Sequence, residues 1–421
     1  MISKNKIVLL VMLLISTSVS SANFSSHYKT IQQAVERGDP YLDFKFRQEF
    51  VNHNSLKDAR ATTIGTKLGY NSAEFYSNNI ALEMVNVTSI FGQHYNPNVY
   101  PLQKSSFATI YDPKGTGITL ANIKSEYFPS TNISLGRQMI NLDNHRMVGN
   151  DSFRQFPTSF DALSIKNTTL NELEIFYSFA NHINTFKNSS VSSEGRRRLR
   201  THLLNCSWQN FMYGKLTGYI YYNKDLTILT NSNITFGGRA AADQAFTQDF
   251  DFDYELELAA QKNQSNNPNK YSALYSNMSA GKQFKLLAKD WSIGGKIGFE
   301  LISSHNAEQP NNTFSFPLGA WHGFNGLAEA FNPPPTRGIR DYYVNISGFY
   351  RESIELTSGL HVFQFAKNSH SKTAGFEIDM SASFQINPNL NARLIIAKLN
   401  SKNSTVPSIT KLSGTLSYHA I

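Results

Sequence analysis

The stretch Tyr41-Leu42-Asp43-Phe44-Lys45-Phe46-Arg47-Gln48-Glu49-Phe50-Val51 decides the fold. In an extended chain successive side chains point to opposite faces. Leu42, Phe44, Phe46 and Phe50 then share one face, and Asp43, Lys45, Arg47 and Glu49 share the other. A soluble sandwich would turn the apolar face inward. The charged face needs water just as much, and a wall with lipid on one side and a wet lumen on the other serves both.

A tilted strand crosses a bilayer in about 9–11 residues, and alternating segments of this length recur along the chain. In the first half they run from Ala61 to Tyr70, Ala73 to Val87, Gly117 to Phe128, Asn132 to Ile140, Ser159 to Asn167 and Leu170 to Ala180. The second half continues with His202 to Tyr213, Leu216 to Asn223, Asn231 to Arg239, Phe250 to Gln261, Tyr271 to Phe284 and Trp291 to Ser303. Ile339 to Arg351, Ile354 to Lys367, Thr373 to Ile386, Leu390 to Asn400 and Ile409 to Ala420 complete the series. The pattern predicts an all-β fold, a transmembrane antiparallel β-barrel of about 18 strands with about 16 as the alternative, because single-chain bacterial barrels have even strand numbers.

The connections alternate in length. Asn71-Ser72, Pro129-Ser130-Thr131, Asn167-Thr168 and Asn387-Pro388-Asn389 are tight, whereas Thr88 to Thr116, Asn141 to Thr158, Asn181 to Thr201 and Ser304 to Gly338 are long. Short periplasmic turns and long extracellular loops are the outer-membrane arrangement. The last segment keeps its alternation at Leu416, Tyr418 and Ala420 but ends on Ile421 rather than the aromatic residue that barrel-assembly machinery usually reads.

At the start of the chain, Lys4 and Lys6 precede an apolar run from Ile7 to Ile15, and Ser20-Ser21-Ala22 offers a cleavage site. Nine apolar residues are too few for a spanning helix, which needs about 20. The expected organisation is a leader at 1–22 and one barrel domain at 23–421. Aromatic residues make up 13% of the chain and charged residues 17%, against roughly 25% charged in soluble domains, as barrel girdles require. A single cysteine, Cys206, excludes an intramolecular disulfide scaffold, and neither metal-ligand spacing nor a cofactor motif is present. The net charge of +8, reduced to +6 without Lys4 and Lys6, is scattered except in Glu194-Gly195-Arg196-Arg197-Arg198-Leu199-Arg200. Scatter of this kind argues against nucleic acid and for a positive lumen or a rim touching lipopolysaccharide.

One region is distinctive in its motifs. Leu135-Gly136-Arg137-Gln138 leads to Asn141-Leu142-Asp143-Asn144-His145-Arg146-Met147-Val148-Gly149-Asn150, then Phe153-Arg154-Gln155 and Ser159-Phe160-Asp161-Ala162-Leu163. Asn52 to Ala61, His202 to Asn205 with Gly214 to Tyr219, and His322 to Gly326 with Asp341 to Val344 add to it. The chain resembles the alginate-export family of outer-membrane porins, with Met147 where that family favours Phe and Cys206 where it favours a small residue. The resemblance implies a channel, not an enzyme, embedded in outer-membrane lipid and lipopolysaccharide. It would pass small anionic or polar solutes, with acidic saccharides or an acidic polysaccharide among the candidates.

Selectivity in a pore comes from charged side chains at a constriction. The loop from Asn141 to Thr158 holds Asp143, His145, Arg146, Asp151 and Arg154 and is placed to fold inward. The candidate lining residues are Lys45, Arg47, Lys67, Glu83, Lys124, Arg137, Asp143, Arg146, Arg154 and Asp161. For each the competing reading is ion pairing that holds the wall or loop together. Arg137 is a special case, because strict alternation places it with Ile133 and Leu135, so that either a bulge lies there or the strand ends earlier. A binding or adhesion barrel using its long loops is the alternative function. A rim enzyme would need a clustered catalytic set that the scattered histidines do not suggest.

Overall fold

The computed structural model describes residues 30–211, 214–242, 252–286, 290–351, 353–367 and 372–420; the expected leader lies outside them. A short helix α1 (Ile31–Glu36) precedes β1 (Asp39–His53), β2 (Ala59–Asn71), β3 (Asn78–Ser89), β4 (Gly115–Ser125), β5 (Thr131–Gln138) and β6 (Ser159–Asn167). Then follow β7 (Leu173–Asn184), β8 (Arg196–Phe211), β9 (Gly214–Asn223), β10 (Asn233–Ala242), β11 (Asp253–Asn263) and β12 (Ser272–Lys285). The chain ends with β13 (Trp291–Ile302), β14 (Ile339–Tyr350), β15 (Ile354–Phe365), β16 (Thr373–Asn387), β17 (Leu390–Ser401) and β18 (Ile409–His419). Each strand pairs antiparallel with its neighbours in sequence. β1 pairs with both β2 and β18, from Asp43 opposite His419 to His53 opposite Ile409, and this closes the ring.

The expected strands are all present, with some shifted boundaries. β3 starts at Asn78 rather than Ala73, and β7 runs on to Asn184. β8 begins at Arg196, inside what the sequence suggested was a loop. Arginine on both faces hides the alternation there, but Arg197, Leu199 and Thr201 are buried while Arg196, Arg198 and Arg200 are exposed. Helix α1, which the sequence reading did not foresee, starts at Thr30, whose Oγ1 accepts the Gln33 N–H at 3.2 Å. It is tied to the first short turn by Ala73 N donating to Ala34 O at 3.0 Å.

The wall has two opposite surfaces. Outward side chains such as Phe44, Phe46, Leu258, Leu274, Ile297, Ile346, Leu394 and Ile396 are exposed, and the apolar surface continues from strand to strand. A soluble protein rarely exposes an apolar patch beyond a few hundred Å², so this belt faces lipid. Aromatic pairs mark its lower edge, Trp208 with Phe211 and Trp291 with Tyr350, at the short-turn ends. Inward positions are polar and include buried Arg47, Glu49, Glu257, Glu300, Asp341, Glu377, Asp379 and Lys411. In three places, Tyr41 over Gly69, Tyr219 over Gly237 and Tyr343 over Gly298, a lumenal tyrosine lies over a glycine directly opposite in the next strand. A Cβ on Gly298 would lie 2.2 Å from the Tyr343 ring, and one on Gly237 2.6 Å from the Tyr219 hydroxyl. Only glycine allows the ring to lie against the wall and leave the lumen open.

This two-sided wall fixes an expectation for stability. Ile346→Arg, in the middle of outward-facing β14, should cost roughly 2–4 kcal/mol in denaturant unfolding from bilayers. Asn391→Arg, which faces the lumen, should stay near the parental value.

Candidate functional site

Three long loops, at 90–114, 139–158 and 303–338, turn into the lumen at the long-loop end instead of projecting from it. Their apolar residues, among them Tyr95, Ile110, Val148, Phe316, Leu318 and Phe331, form a core with inward strand residues. Backbone bonds stitch them together: Gly149 N donates to Leu318 O at 3.0 Å, and Ala320 N to His145 O at 2.9 Å. Glu377 and Asp379 on β16 accept the N–H groups of Ala328 and Leu327 at 2.7 and 2.9 Å. The loop from Asn141 to Thr158 is therefore inward-folded, and two other loops share its place.

Charge holds the loops to the wall. Arg154 bonds Glu329 at 2.5 Å, and Lys411 on β18 bonds the other Glu329 oxygen at 2.6 Å. Lys411 also lies 3.4 Å from Glu49 on β1, which pairs with Arg47, and Arg47 reaches Asp112 at 3.2 Å. Three cations and three carboxylates thus balance in one buried knot. Removing one member would leave a buried charge uncompensated. Phe153 lies in this knot, its ring stacked on His322 and 3.9 Å from the Arg47 guanidinium. Burial pushes the His322 imidazole down to about 3, so it is neutral at physiological pH. Burial alone would raise the Glu329 carboxyl, but Arg154 and Lys411 outweigh it and hold the group well below its ordinary value.

The remaining candidates fall into three groups. Arg146, fully buried, bonds Glu300 at 3.1 Å and Asn325 at 2.6 Å between the rings of Phe316 and Phe324. Like Arg47 and Arg154 it binds loop to wall with a buried side chain. Lys45, Lys67, Glu83 and Asp143 do face the lumen. Lys45 donates to the carbonyls of Ser152, Phe153 and Arg154 at 2.9–3.0 Å. Lys67 lies between Asp43 and Glu83 at 3.8 and 3.5 Å, Glu83 accepts from Tyr41 and Thr119, and Asp143 accepts from Asn205 and Thr217. Lys124 is exposed near the short-turn end of β4.

Arg137 and Asp161 form the third group and stand on the outward face, not in the lumen. β5 pairs with β6 without a register shift, so Arg137 keeps the side of Leu135, and Asp161 that of Leu163. Gly136 at φ +116 relaxes the backbone there without turning the side chain inward. Asp161 neutralises Arg137 at 2.6 Å and Arg196 at 2.7 Å.

Below the knot, a cavity of about 730 Å³ opens towards the short-turn end. Lys45, Asp151, Phe153, Arg351, Glu355 and Arg393 line it. A second chamber of about 490 Å³ adjoins it beside Lys45, Lys67 and Arg154. The sequence reading missed Arg393, on β17. Its Nε is buried without a hydrogen-bond partner, and among the described residues the guanidinium makes no ion pair. The available signal was a single charge in the apolar run Leu394-Ile395-Ile396-Ala397, but apolar residues on both faces gave no way to orient it.

A closed 18-stranded antiparallel barrel with lipid-facing walls and loops folded into a charged lumen is the architecture of outer-membrane porins. No family model matches the chain, and no curated protein matches it. Solved structures do. Pseudomonas aeruginosa OccK3 (OpdO) aligns with a TM-score of 0.61 at 12% identity over 94% of this chain and 99% of that one. P. aeruginosa OpdK with vanillate aligns with a TM-score of 0.62 at 10% identity over 91% and 98%. Acinetobacter baumannii OccAB4 gives 0.62 at 12% identity over 91% and 98%. At such identity the likeness shows the fold, and it lends no support to the alginate-export family in particular.

The buried knot yields two expectations. Glu329→Gln, which leaves Arg154 and Lys411 without their shared anion, should cost about 3–5 kcal/mol of unfolding free energy. For His322, the unfolded imidazole takes up a proton near 6.5 and the folded one only at about 3. The unfolded state therefore binds more protons between these values, and stability should fall as pH drops through that window. The slope should be smaller in His322→Asn.

Proposed function

We propose that the chain is an outer-membrane channel for small polar solutes, with a preference for small organic anions. The observation that carries this reading is Arg393, a guanidinium that makes no ion pair among the described residues and lies on the wall of the lumenal cavity of about 730 Å³. Around that cavity Lys45, Arg393 and Arg351, the last paired with Asp290 at 3.1 Å, face Asp151 and Glu355, and in the adjoining chamber Lys45 and Lys67 face Asp43. Burial raises the Asp151 carboxyl above its ordinary value, against the opposing pull of Arg154. A guanidinium offers a carboxylate two parallel hydrogen bonds and keeps its charge at any physiological pH.

Chamber sizes of about 730 and 490 Å³ below three crossing loops support small solutes over a polymer. That OpdK, with a similar fold, was solved with vanillate, an aromatic carboxylate, points to the same class. The adhesin alternative loses ground because the loops it would use are folded inside. Planar-bilayer recording under a salt gradient tests the reading. Wild type should give an anion-preferring reversal potential, and Arg393→Gln should shift it towards zero with the barrel still folded. Cation preference in the wild type would overturn the proposal.

A further inference from the structure

The long-loop ends of β7, β8 and β9 carry a feature that a channel does not need. Alternation divides the run Arg196-Arg197-Arg198-Leu199-Arg200 between two faces. Arg197 turns inward and bonds Asp225 at 2.6 Å. Arg196, Arg198 and Arg200 turn outward and are exposed, on the face that carries His202, Leu204, Cys206 and Trp208 further down β8. Beyond β9, Lys224 stands beside them, its carbonyl accepting the Arg200 N–H at 2.9 Å.

This patch lies directly above the lipid-facing belt. His202 packs against the rings of Tyr177, Phe179 and Tyr222, an aromatic cluster of the kind that marks a membrane interface. With a rise of about 3.3 Å per residue and a tilt of about 40°, each two-residue step lifts an outward side chain by about 5 Å. Arg200, Arg198 and Arg196 therefore climb in turn through the head-group layer. The acid beside them is Asp161, shared between Arg137 and Arg196. Among the described residues Arg198, Arg200 and Lys224 have no ion pair. Like charges on neighbouring strands destabilise a sheet, so a row of this kind calls for an anion to cover it.

We propose that Arg196, Arg198, Arg200 and Lys224 form a docking site for the phosphate groups of the outer leaflet's phosphorylated glycolipid, lipopolysaccharide. Phosphate accepts paired hydrogen bonds from the guanidinium fork. The apolar surface below the row, at Leu204 and Cys206, accommodates acyl chains, which commits the occupant to a lipid rather than a soluble anion. Cations spaced at successive depths suit phosphates carried on a sugar head group. The inference rests on the outer-membrane orientation taken for the channel.

The test uses the folded full-length barrel in detergent with bisphosphorylated lipid A as probe, followed by native mass spectrometry. Wild type should retain the probe, and the triple variant Arg198→Gln, Arg200→Gln, Lys224→Gln should bind it at least tenfold more weakly. Dephosphorylated lipid A should bind wild type as weakly as the variant binds the intact probe. Lys398→Gln with Lys402→Gln, on the opposite side of the rim, should bind as wild type does. Equal binding by the triple variant, by dephosphorylated lipid A or by phosphatidylglycerol would overturn the assignment. Heat-modifiability verifies folding. Single-channel conductance of the triple variant should be unchanged, so that failure here is separable from failure of the channel reading.

Discussion

Hydrocarbon offers no partner for a backbone N–H or C=O, and every other property of this molecule follows from that constraint. A sheet can meet it only by having no edge. The pairing of β1 with β18 removes the last two edges, and the alternation of side chains then divides the chain into a lipid-facing half and a lumenal half. Tyr41 to Val51 shows both halves within one strand, with Phe44 and Phe46 outside and Lys45, Arg47 and Glu49 inside.

A closed polar tube of this width cannot fill its interior with strand side chains alone. Here loops fill part of it, and burying them in a charged wall sets a second condition. Each charge taken from water must find its opposite. The knot around Glu329 meets this condition with equal numbers of cations and carboxylates, and Arg146 with Glu300 repeats the solution elsewhere. Arg393 departs from it. Beside the matched cations of the knot, a guanidinium without an ion pair is chemically conspicuous to a passing solute.

The strands were legible because their signal is local. Period-two alternation depends on neighbouring residues only, and it located every strand from Asp39 to His419. It failed where both faces carry the same residue type, as at Arg196 to Arg200, and where a turn is built from strand-like residues, as at Ala73 to Ser77, in which Tyr76 and Ser77 adopt positive φ before β3 begins at Asn78. The site was less legible because its pairings are remote. Arg154 and Glu329 are separated by 175 positions, and nothing near either one announces the other. Reading Arg146 and Arg154 as either selectivity residues or structural pairs was as far as one segment could go, and the loop at 303–338 decides their surroundings. Arg137 was misread: the sequence makes it and Asp161 lining candidates and calls for a bulge or an earlier strand end, whereas β5 runs on to Gln138 and keeps Arg137 beside Leu135 on the outer surface, with Asp161 as its counter-charge.

The position of Lys411 has a consequence for the order of assembly. Its strand is the last to emerge, while its partner Glu49 belongs to the first and its partner Glu329 to a loop near the end of the chain. Until the two terminal strands zip together, Glu329 has Arg154 alone to set against its charge, and Lys411 stands on an unpaired edge. The knot inside the lumen is thus a product of very distant contacts, which form late because long stretches of chain must be ordered first. A barrel that stalls half-closed in the membrane remains a wide, loosely filled tube, and the transition to a narrow one coincides with completion of the cylinder.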